Sequence, residues 1–171
     1  MAPTDALRPL LDAAREGDDR AVRELVRSTQ PAVWRLCTAL GSTGEVDDLV
    51  QETYLRAFRS LPSYRGEAPV QAWLLSIARH VCADHVRKRT RQRRLVDRIT
   101  RAQAVEQSLP DVTTGAGEAL DQFVHALSPE RQEAFVLTQI VGLSYEEAAD
   151  VVGCPIGTIR SRVARARADL L

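Results

Sequence analysis

The sequence predicts an all-α protein built from two small helical domains joined by a flexible linker. Apolar residues recur at helical spacing through residues 1–94 and 118–171, and no run keeps the two-residue alternation of a strand. Between residues 95 and 117 the periodicity fades, and Pro110, Gly115 and Gly117 make poor element interiors. A length of 171 residues suits two small domains.

Composition and cysteine usage exclude several classes of protein. Apolar residues make up 44% and charged residues 27% of the chain, which excludes wholesale disorder and collagen-like repeats. The longest stretch without Asp, Glu, Lys or Arg is 134–145, well short of the roughly 18 residues of a membrane span. The N-terminus lacks the basic start of a signal peptide. Cys37, Cys82 and Cys154 are odd in number and scattered, so we expect a cytoplasmic protein without disulfides.

Three short helices are predicted first. Asp5 is placed to cap a helix that stops near Gly17, and Asp18 starts the next one. Pro31 suits the first position of a third helix, which Gly41 closes.

Two longer helices follow, separated by a loop. Residues 45–58 place their apolar side chains on one face, and residues 61–69 read as a loop because they carry two prolines and a glycine. Residues 70–94 then predict one long helix that is apolar at first and increasingly basic toward its end. Beyond the linker we expect a short helix over 119–127 and another that Ser128 and Pro129 open and that reaches Val141.

The last segment predicts a helix-turn-helix. Ser144 and Glu147 form a capping box, and Gly153 can adopt the positive φ that a tight turn needs. In the second helix, one face is apolar, through Ile159, Val163, Ala166 and Leu170. The other face carries Thr158, Ser161, Arg162 and Arg165, with Arg160 at the margin. Such a helix fits the major groove of DNA, although an ordinary helical hairpin with solvated arginines has the same pattern.

A net charge of zero conceals a strong separation of charge. Residues 85–101 carry eight basic groups and one acid, whereas residues 102–153 carry nine acids and one arginine. Residues 154–171 return to four arginines and one acid. Two cationic blocks predict two contacts with anions, or one block folded onto the acidic segment.

Two polar clusters suggest contacts with macromolecules. Asp47, Asp48, Gln51 and Glu52 share one helix face; a metal site or an acid–base pair is conceivable, but a docking face for a protein or a merely solvated face fits better. Tyr64 and Trp73 precede the basic helix, as aromatic stacking surfaces and a cationic track would for an unstacked strand of DNA. Alternatively, Trp73 is a core residue and Tyr64 an exposed loop residue.

A histidine–cysteine cluster in the long helix does not predict a metal site. His80, Cys82 and His85 point about 200° and 140° apart around a helix, so they cannot close one tetrahedral site. We predict no cofactor and no enzymatic activity, because the sequence also lacks a nucleophile–base set and a phosphate-binding glycine loop.

Four motifs occur in a fixed order along nearly the whole chain. They are DDLVQETYLRAF from Asp47, YRGEA from Tyr64, WLLSIARH from Trp73, and GLSYEEAA with PIGTIRSRVARAR in the helix-turn-helix. Together they resemble the extracytoplasmic-function (ECF) group of the bacterial sigma-70 family. The resemblance implies a transcription initiation factor with domains at 1–94 and 118–171 and a linker at 95–117.

The resemblance also implies roles for particular residues. Binding to core RNA polymerase, at the clamp helices of β′, is implied for Asp47, Asp48, Leu49, Gln51, Glu52 and Leu55. Recognition and opening of the minus-ten element are implied for Tyr64, Arg65, Gly66, Glu67, Trp73, Arg79, His80, Asp84, Arg87 and Lys88. Recognition of the minus-thirty-five element is implied for Gly157, Thr158, Arg160, Ser161, Arg162 and Arg165.

Partners follow from the same resemblance. They are core RNA polymerase through its β′ and β subunits, promoter DNA, and an anti-sigma factor; in its absence we expect the acidic segment to fold onto the basic block. The chain departs from the usual pattern at His80, where asparagine is common, and at Pro69-Val70, which affects the minus-ten preference. A stand-alone helix-turn-helix regulator is the alternative function.

Overall fold

A computed structural model describes residues 5–42, 44–103 and 122–170. In these ranges the chain is helical and contains no strand, which confirms the all-α prediction. None of these helices combines the length and the apolar character that crossing a membrane requires. The helices are α1 (Arg8–Arg15), α2 (Asp19–Leu40), α3 (Val46–Ser60), α4 (Val70–Gln103), α5 (Pro129–Phe135), α6 (Tyr145–Val152) and α7 (Ile156–Asp169).

Three shorter stretches complete the described chain. A 3₁₀ turn at Leu61–Ser63 follows α3, and residues 122–126 are helical ahead of α5. A π-helical stretch at Val136–Ile140 prolongs α5. The predicted helix over 119–127 is thus present at 122–126, and its first residues lie outside the described ranges.

The predicted break at Pro31 is wrong, because α2 runs through it without interruption. Asp18 caps this helix as predicted, accepting hydrogen bonds from the backbone N–H groups of Arg20 and Ala21. A proline inside a helix costs about 3 kcal/mol. Here the apolar stripe continues on both sides of the exposed proline, through the buried Leu25 and Leu36. Packing of that stripe outweighs the local cost.

Helix α4 is longer than predicted. It ends at Gln103 instead of near residue 94, so residues 95–103 of the predicted linker are helical. No proline or glycine interrupts residues 70–103, and arginine is a good helix former. The rest of the predicted linker lies outside the described residues.

Apolar packing forms two clusters. The main cluster joins α2, α3 and α4 to the helices of the C-terminal part, with Leu36, Leu75, Leu137 and Ile159 fully buried. A second, smaller cluster joins α1 and the start of α2 to the residues that flank the loop after α3. The C-terminal part therefore packs directly on α2 and α4, and the loop has a small core of its own.

Candidate nucleic-acid interface

One face of α3 is acidic and open to solvent. Asp47 and Asp48 lie exposed in the first turn, where negative charge is stabilised by the helix dipole, and Gln51 is exposed one turn later. Leu55, an apolar residue on this helix, is 45% exposed. Leu49, by contrast, is buried in the main core, so it supports α3 from inside. A single exposed leucine is ordinary on a protein surface, so the exposed carboxylates give this face its character.

A chain of ion pairs connects α3 to α4. The Arg56 guanidinium contacts Glu52 at 2.7 Å and Asp84 at 2.8 Å, and Asp84 also pairs with Arg87. Hydrogen bonds from Arg56 and Arg87 hold the pKa of the Asp84 carboxyl below its ordinary value. Predicted polymerase-binding and minus-ten residues thus share one charge network, and Asp84 is fully ionised at neutral pH.

The aromatic pair at the loop over residues 64–69 is not exposed as a stacking platform. Tyr64 is buried, and its ring centre lies 5.0 Å from that of the half-buried Trp73. The polar residues of this loop are exposed, and Gly66 has a φ of +76°. The outward surface of the loop consists of Arg65, Gly66, Glu67 and Pro69.

The C-terminal part reaches the same loop. A groove beside it is lined by Tyr64, Arg65, Glu67, Trp73 and Ser76, and Asp150 of α6 lines its other side. An acidic side chain therefore occupies the edge of the groove where the resemblance implies that a base from the promoter is bound.

A half-buried ion pair joins α4 to α5. Arg79 Nε lies 2.6 Å from Glu133 Oε1, and each side chain is only 19% exposed. Burial raises the pKa of the Glu133 carboxyl above its ordinary value, and the positive charges of Arg79, Arg162 and His80 counteract only part of that shift. The acidic segment therefore contacts α4 at Arg79, which lies outside the 85–101 block. Among the described residues no ion pair joins this segment to that block, so the predicted fold onto the basic block is not observed there.

The three residues considered for a metal site have different surroundings. His80 is exposed and its Nδ1 lies 2.6 Å from the carbonyl of Ser76, whereas His85 Nε2 contacts Glu45 at 2.5 Å. Cys82 is buried against Cys37 of α2; their hydrogen bond and burial raise the pKa of the Cys82 thiol. The three side chains share no site.

The basic half of α4 is exposed to solvent. Arg87 and Lys88 are exposed, and every residue from 91 to 101 is exposed as well. Arg89 contacts Glu45 at 3.4 Å. This helix thus presents a cationic surface beyond the part that packs against the rest of the protein.

The C-terminal pair of helices has the geometry predicted for a helix-turn-helix. Ser144 Oγ accepts a hydrogen bond from Glu147 N, and Glu147 Oε2 accepts one from Ser144 N, which completes the capping box. Gly153 ends α6 with a φ of +74°. In α7, Ile159, Val163 and Ala166 are buried as predicted.

The predicted DNA-reading residues of α7 differ in exposure. Gly157, Arg160, Ser161 and Arg165 are exposed, and a Cβ atom added to Gly157 would meet nothing within 4 Å. Thr158 and Arg162 are half-buried, and Arg162 lies close enough to Glu133 to affect its pKa. The outward face of α7 is therefore cationic and sterically open.

Sequence reasoning missed the residues that hold the loop in place. Arg8 and Arg15 of α1 lie against Tyr64, and Asp5 bonds to the first residue of α4 instead of acting as the N-cap of α1. No local pattern marks these contacts, because the partners are 46 to 65 residues apart.

Comparison with known proteins gives the class to which this fold and these surfaces belong. Residues 25–92 match the family model for sigma-70 region 2, and residues 117–170 match the model for sigma-70 region 4. The chain is 42% identical to the probable RNA polymerase sigma-C factor of Mycobacterium bovis, over 98% of this chain and 90% of that protein. It is 31% identical to the ECF RNA polymerase sigma-E factor of Escherichia coli, over 92% and 88%.

Solved structures agree with these sequence matches. CnrH in complex with the cytosolic domain of CnrY matches with a TM-score of 0.74 at 30% identity, covering 97% of this chain and 95% of CnrH. The sigma factor RpoE of Bartonella quintana, in complex with the anti-sigma factor NepR, matches with a TM-score of 0.68 at 30% identity, covering 87% and 93%. The chain belongs to the ECF group of the sigma-70 family, and it is a sigma factor that directs transcription initiation.

Proposed function

We propose that this sigma factor divides initiation among three surfaces. The acidic face of α3 binds core RNA polymerase, the loop 64–69 with α4 binds the opened minus-ten element, and α7 reads the minus-thirty-five element. In this proposal residues 118–171 are the second working domain, and the first extends past residue 94 to the end of α4 at Gln103, so that the linker begins only after this helix. The observation that carries it is the sign of the exposed charge: acidic on α3, cationic on the end of α4 and on α7.

The proposed polymerase contact rests on α3. Three exposed polar residues, Asp47, Asp48 and Gln51, share this helix with the exposed Leu55. A carboxylate face favours a partner surface of positive charge, and Leu55 adds apolar area beside it. Leu49 acts from the core by fixing the position of α3.

The proposed minus-ten contact combines the loop 64–69 with the exposed cations of α4. An unstacked base costs a few kcal/mol to expose, and binding that base in a pocket offsets the cost. The loop edge with Arg65 and Glu67 provides polar groups for the base, and the exposed cations of α4 from Arg87 onward follow the phosphates. Tyr64 and Trp73 support the groove wall by packing against each other.

The proposed minus-thirty-five contact rests on the outward face of α7. Arg160 and Arg165 are exposed and can pair with guanine edges or phosphates, while Ser161 adapts to other base edges. Open space at Gly157 lets the DNA backbone approach the helix closely. A regulator that used only this helix-turn-helix would leave the α3 surface without a role.

The contacts of the C-terminal part with α4 and with the loop 64–69 add a regulatory step to the proposal. Glu133 neutralises Arg79, and Asp150 lines the groove beside the loop. These contacts must be released before DNA can bind at the loop, so core polymerase has to separate α4 from the C-terminal part. An anti-sigma factor is proposed as a second partner, and the cytoplasm, where polymerase acts, as the location. Sigma factors are not enzymes, and no catalytic step is assigned to this chain.

Run-off transcription with purified core polymerase and genomic promoters tests the proposal. We expect promoter-specific transcripts from the wild-type chain and a loss of at least tenfold in core binding for the Asp47→Asn, Asp48→Asn double variant. The Asp19→Asn variant is the control, because Asp19 is also acidic and in the first turn of a helix. It loses the helix-dipole stabilisation of one charge, about 0.5 kcal/mol, and the double variant loses that of two.

DNA reading is tested in the same assay. Arg160→Ala and Arg165→Ala should each lower initiation at promoters with a minus-thirty-five element and leave core binding unchanged. Arg23→Ala, an exposed arginine on α2, controls for the loss of charge. Absence of any transcript while core is bound would contradict the proposed function, as would a symmetric footprint on a palindrome without polymerase.

A further inference from the structure

Helix α1 makes a set of contacts that the proposed function does not use. It precedes residues 25–92, the part of the chain that matches region 2. Side chains of α1 nevertheless contact the beginning and the middle of the loop 64–69, and Asp5, just before α1, contacts its far end.

Arg15 holds the beginning of the loop. Its Nη2 donates to the carbonyl of Tyr64 at 2.7 Å and to the carbonyl of Leu61 at 3.2 Å. One guanidinium therefore ties the 3₁₀ turn to the first residue of the loop. Hydrogen bonds from a charged donor are stronger than those between neutral groups.

Arg8 covers the middle of the loop. Its guanidinium lies over the Tyr64 ring, 5.2 Å from the ring centre, and Asp12 holds it in place through contacts of 3.2 Å to Nε. It also lies so close to Gly66 that a Cβ atom there would collide with it. The φ of +76° favours glycine at this position, whereas the end of the flexible Arg8 side chain could move aside for a Cβ atom.

Asp5 holds the far end of the loop. Its Oδ2 accepts a hydrogen bond of 2.7 Å from the backbone N–H of Val70, the first residue of α4. The same carboxylate bonds to Leu7 N through Oδ1, so the start of the described chain is linked to the start of α4. Beneath these polar contacts, Leu11 and Val70 are fully buried in the second apolar cluster.

We infer that α1 is a positioning element for minus-ten recognition, with Arg15 as its central residue. The inference rests on the proposed role of the loop and extends it to residues outside the matched region. Ordering a free loop costs roughly 1 kcal/mol or more per residue. Because α1 and the preceding Asp5 fix both ends and the middle of the loop beforehand, the bound base does not have to supply that ordering, and the polar edge keeps one shape.

Hydrogen exchange of the full-length free chain tests whether α1 holds the loop. In Arg15→Gln, amides of residues 61–69 should exchange about tenfold faster than in the wild type, while those of α3 and α7 keep their rates. Arg15→Lys retains a cationic donor and should restore part of the protection. Arg23→Gln removes an exposed arginine from α2 and should change nothing.

Transcription with core polymerase from a promoter library randomised at both elements tests the consequence for DNA. Arg15→Gln should weaken base preference at the minus-ten element about tenfold and leave preference at the minus-thirty-five element and core binding unchanged. Arg15→Lys should recover part of the lost preference. A protein that was merely destabilised would lose initiation at all promoters equally.

Unchanged exchange in residues 61–69 of Arg15→Gln would overturn the inference. Unchanged minus-ten preference with faster exchange would overturn it too, as would equal loss at both elements. If the wild-type chain itself failed to initiate with bound core, the proposed function would be refuted, and the exchange experiment would still decide whether α1 holds the loop.

Discussion

Glu133 combines a buried carboxylate with a cationic neighbourhood. Its side chain is 19% exposed, and Arg79 contacts it at 2.6 Å while Arg162 and His80 lie nearby. Burial dominates these charges, so the pKa of Glu133 is raised. An ion pair in this position costs desolvation that its attraction only partly returns.

The raised pKa of Glu133 predicts a pH dependence of stability. A folded-state pKa above the unfolded one means that folding binds the proton more tightly, so the contribution is complete below the ordinary value near 4.5 and is lost as the pH rises through the raised value. Relative to Glu133→Gln, the wild-type chain should therefore lose thermal stability as the pH rises above 4.5. Melting temperatures of both proteins across that range provide the measurement, and parallel curves would contradict it.

Asp84 behaves in the opposite sense and provides an internal comparison. Hydrogen bonds from Arg56 and Arg87 lower its pKa, so its contribution is present above the ordinary value near 3.8 and is lost as the pH falls below that value. The side chain is 46% exposed, which limits the contribution through solvent screening. Both proteins contain Asp84, so the difference between their melting temperatures does not include its contribution.

At the level of elements, two glycines at the junction of α6 and α7 differ in the reason for which glycine is present. Gly153 has a φ of +74°, and Gly157 in the first turn of α7 has open space around it. We expect Gly153→Ala to lower the free energy of unfolding by roughly 1–2 kcal/mol, because a side chain disfavours the left-handed region. Gly157→Ala should raise it by about 0.5 kcal/mol, because alanine favours a helix. Urea unfolding of both variants checks this.

The effect of Gly157→Ala on DNA binding should be opposite to its effect on stability. Gly157→Ala adds a methyl group to the outward face of α7, so protection of the minus-thirty-five element in a holoenzyme footprint should fall although stability rises. Equal footprints for Gly157→Ala and the wild type would mean that DNA does not approach this position. Unchanged stability of Gly153→Ala would mean that the turn tolerates another backbone conformation.

The ends of elements show what sequence can predict. Asp18 and the Ser144–Glu147 box are correct predictions because each cap bonds to backbone within three residues. The predictions at Pro31 and Asp5 are wrong for reasons that lie far away in the sequence. Packing of α2 keeps the helix continuous through Pro31, and Asp5 accepts a hydrogen bond from Val70, 65 residues away. Exposure of the reading face of α7 follows from helical periodicity, whereas burial of Tyr64 depends on α1 and leaves no local pattern.

For the whole molecule, closure of the C-terminal part on α4 predicts a specific opening mutation. Glu133→Lys would place a cation against Arg79 and Arg162, so repulsion and burial should both separate the two parts. Small-angle X-ray scattering of the free chain at low salt should show a compact wild-type particle and a larger maximum dimension for the variant.

Glu130→Lys is the matched control for this experiment. Glu130 lies on α5 as Glu133 does, but it is exposed, so charge reversal there should leave the particle compact. Circular dichroism confirms that helix content is retained in both variants. Well-separated domains in the wild-type protein at low salt would contradict the closed arrangement, as would identical scattering of Glu133→Lys and wild type.

The exposed half of α4 carries regularly spaced arginines. Five exposed arginines recur every three or four residues and lie along one side: Arg87, Arg91, Arg94, Arg98 and Arg101. Moving a polyanion by one helical turn, about 5.4 Å, places each phosphate opposite the next guanidinium at nearly equal energy. Such a row of arginines attracts DNA but does not fix the position of the DNA along the helix. In the proposed function, the alignment of the promoter must therefore come from α7 and from the loop at the start of this 34-residue helix, which lies roughly 25 to 47 Å from these arginines along the helix axis.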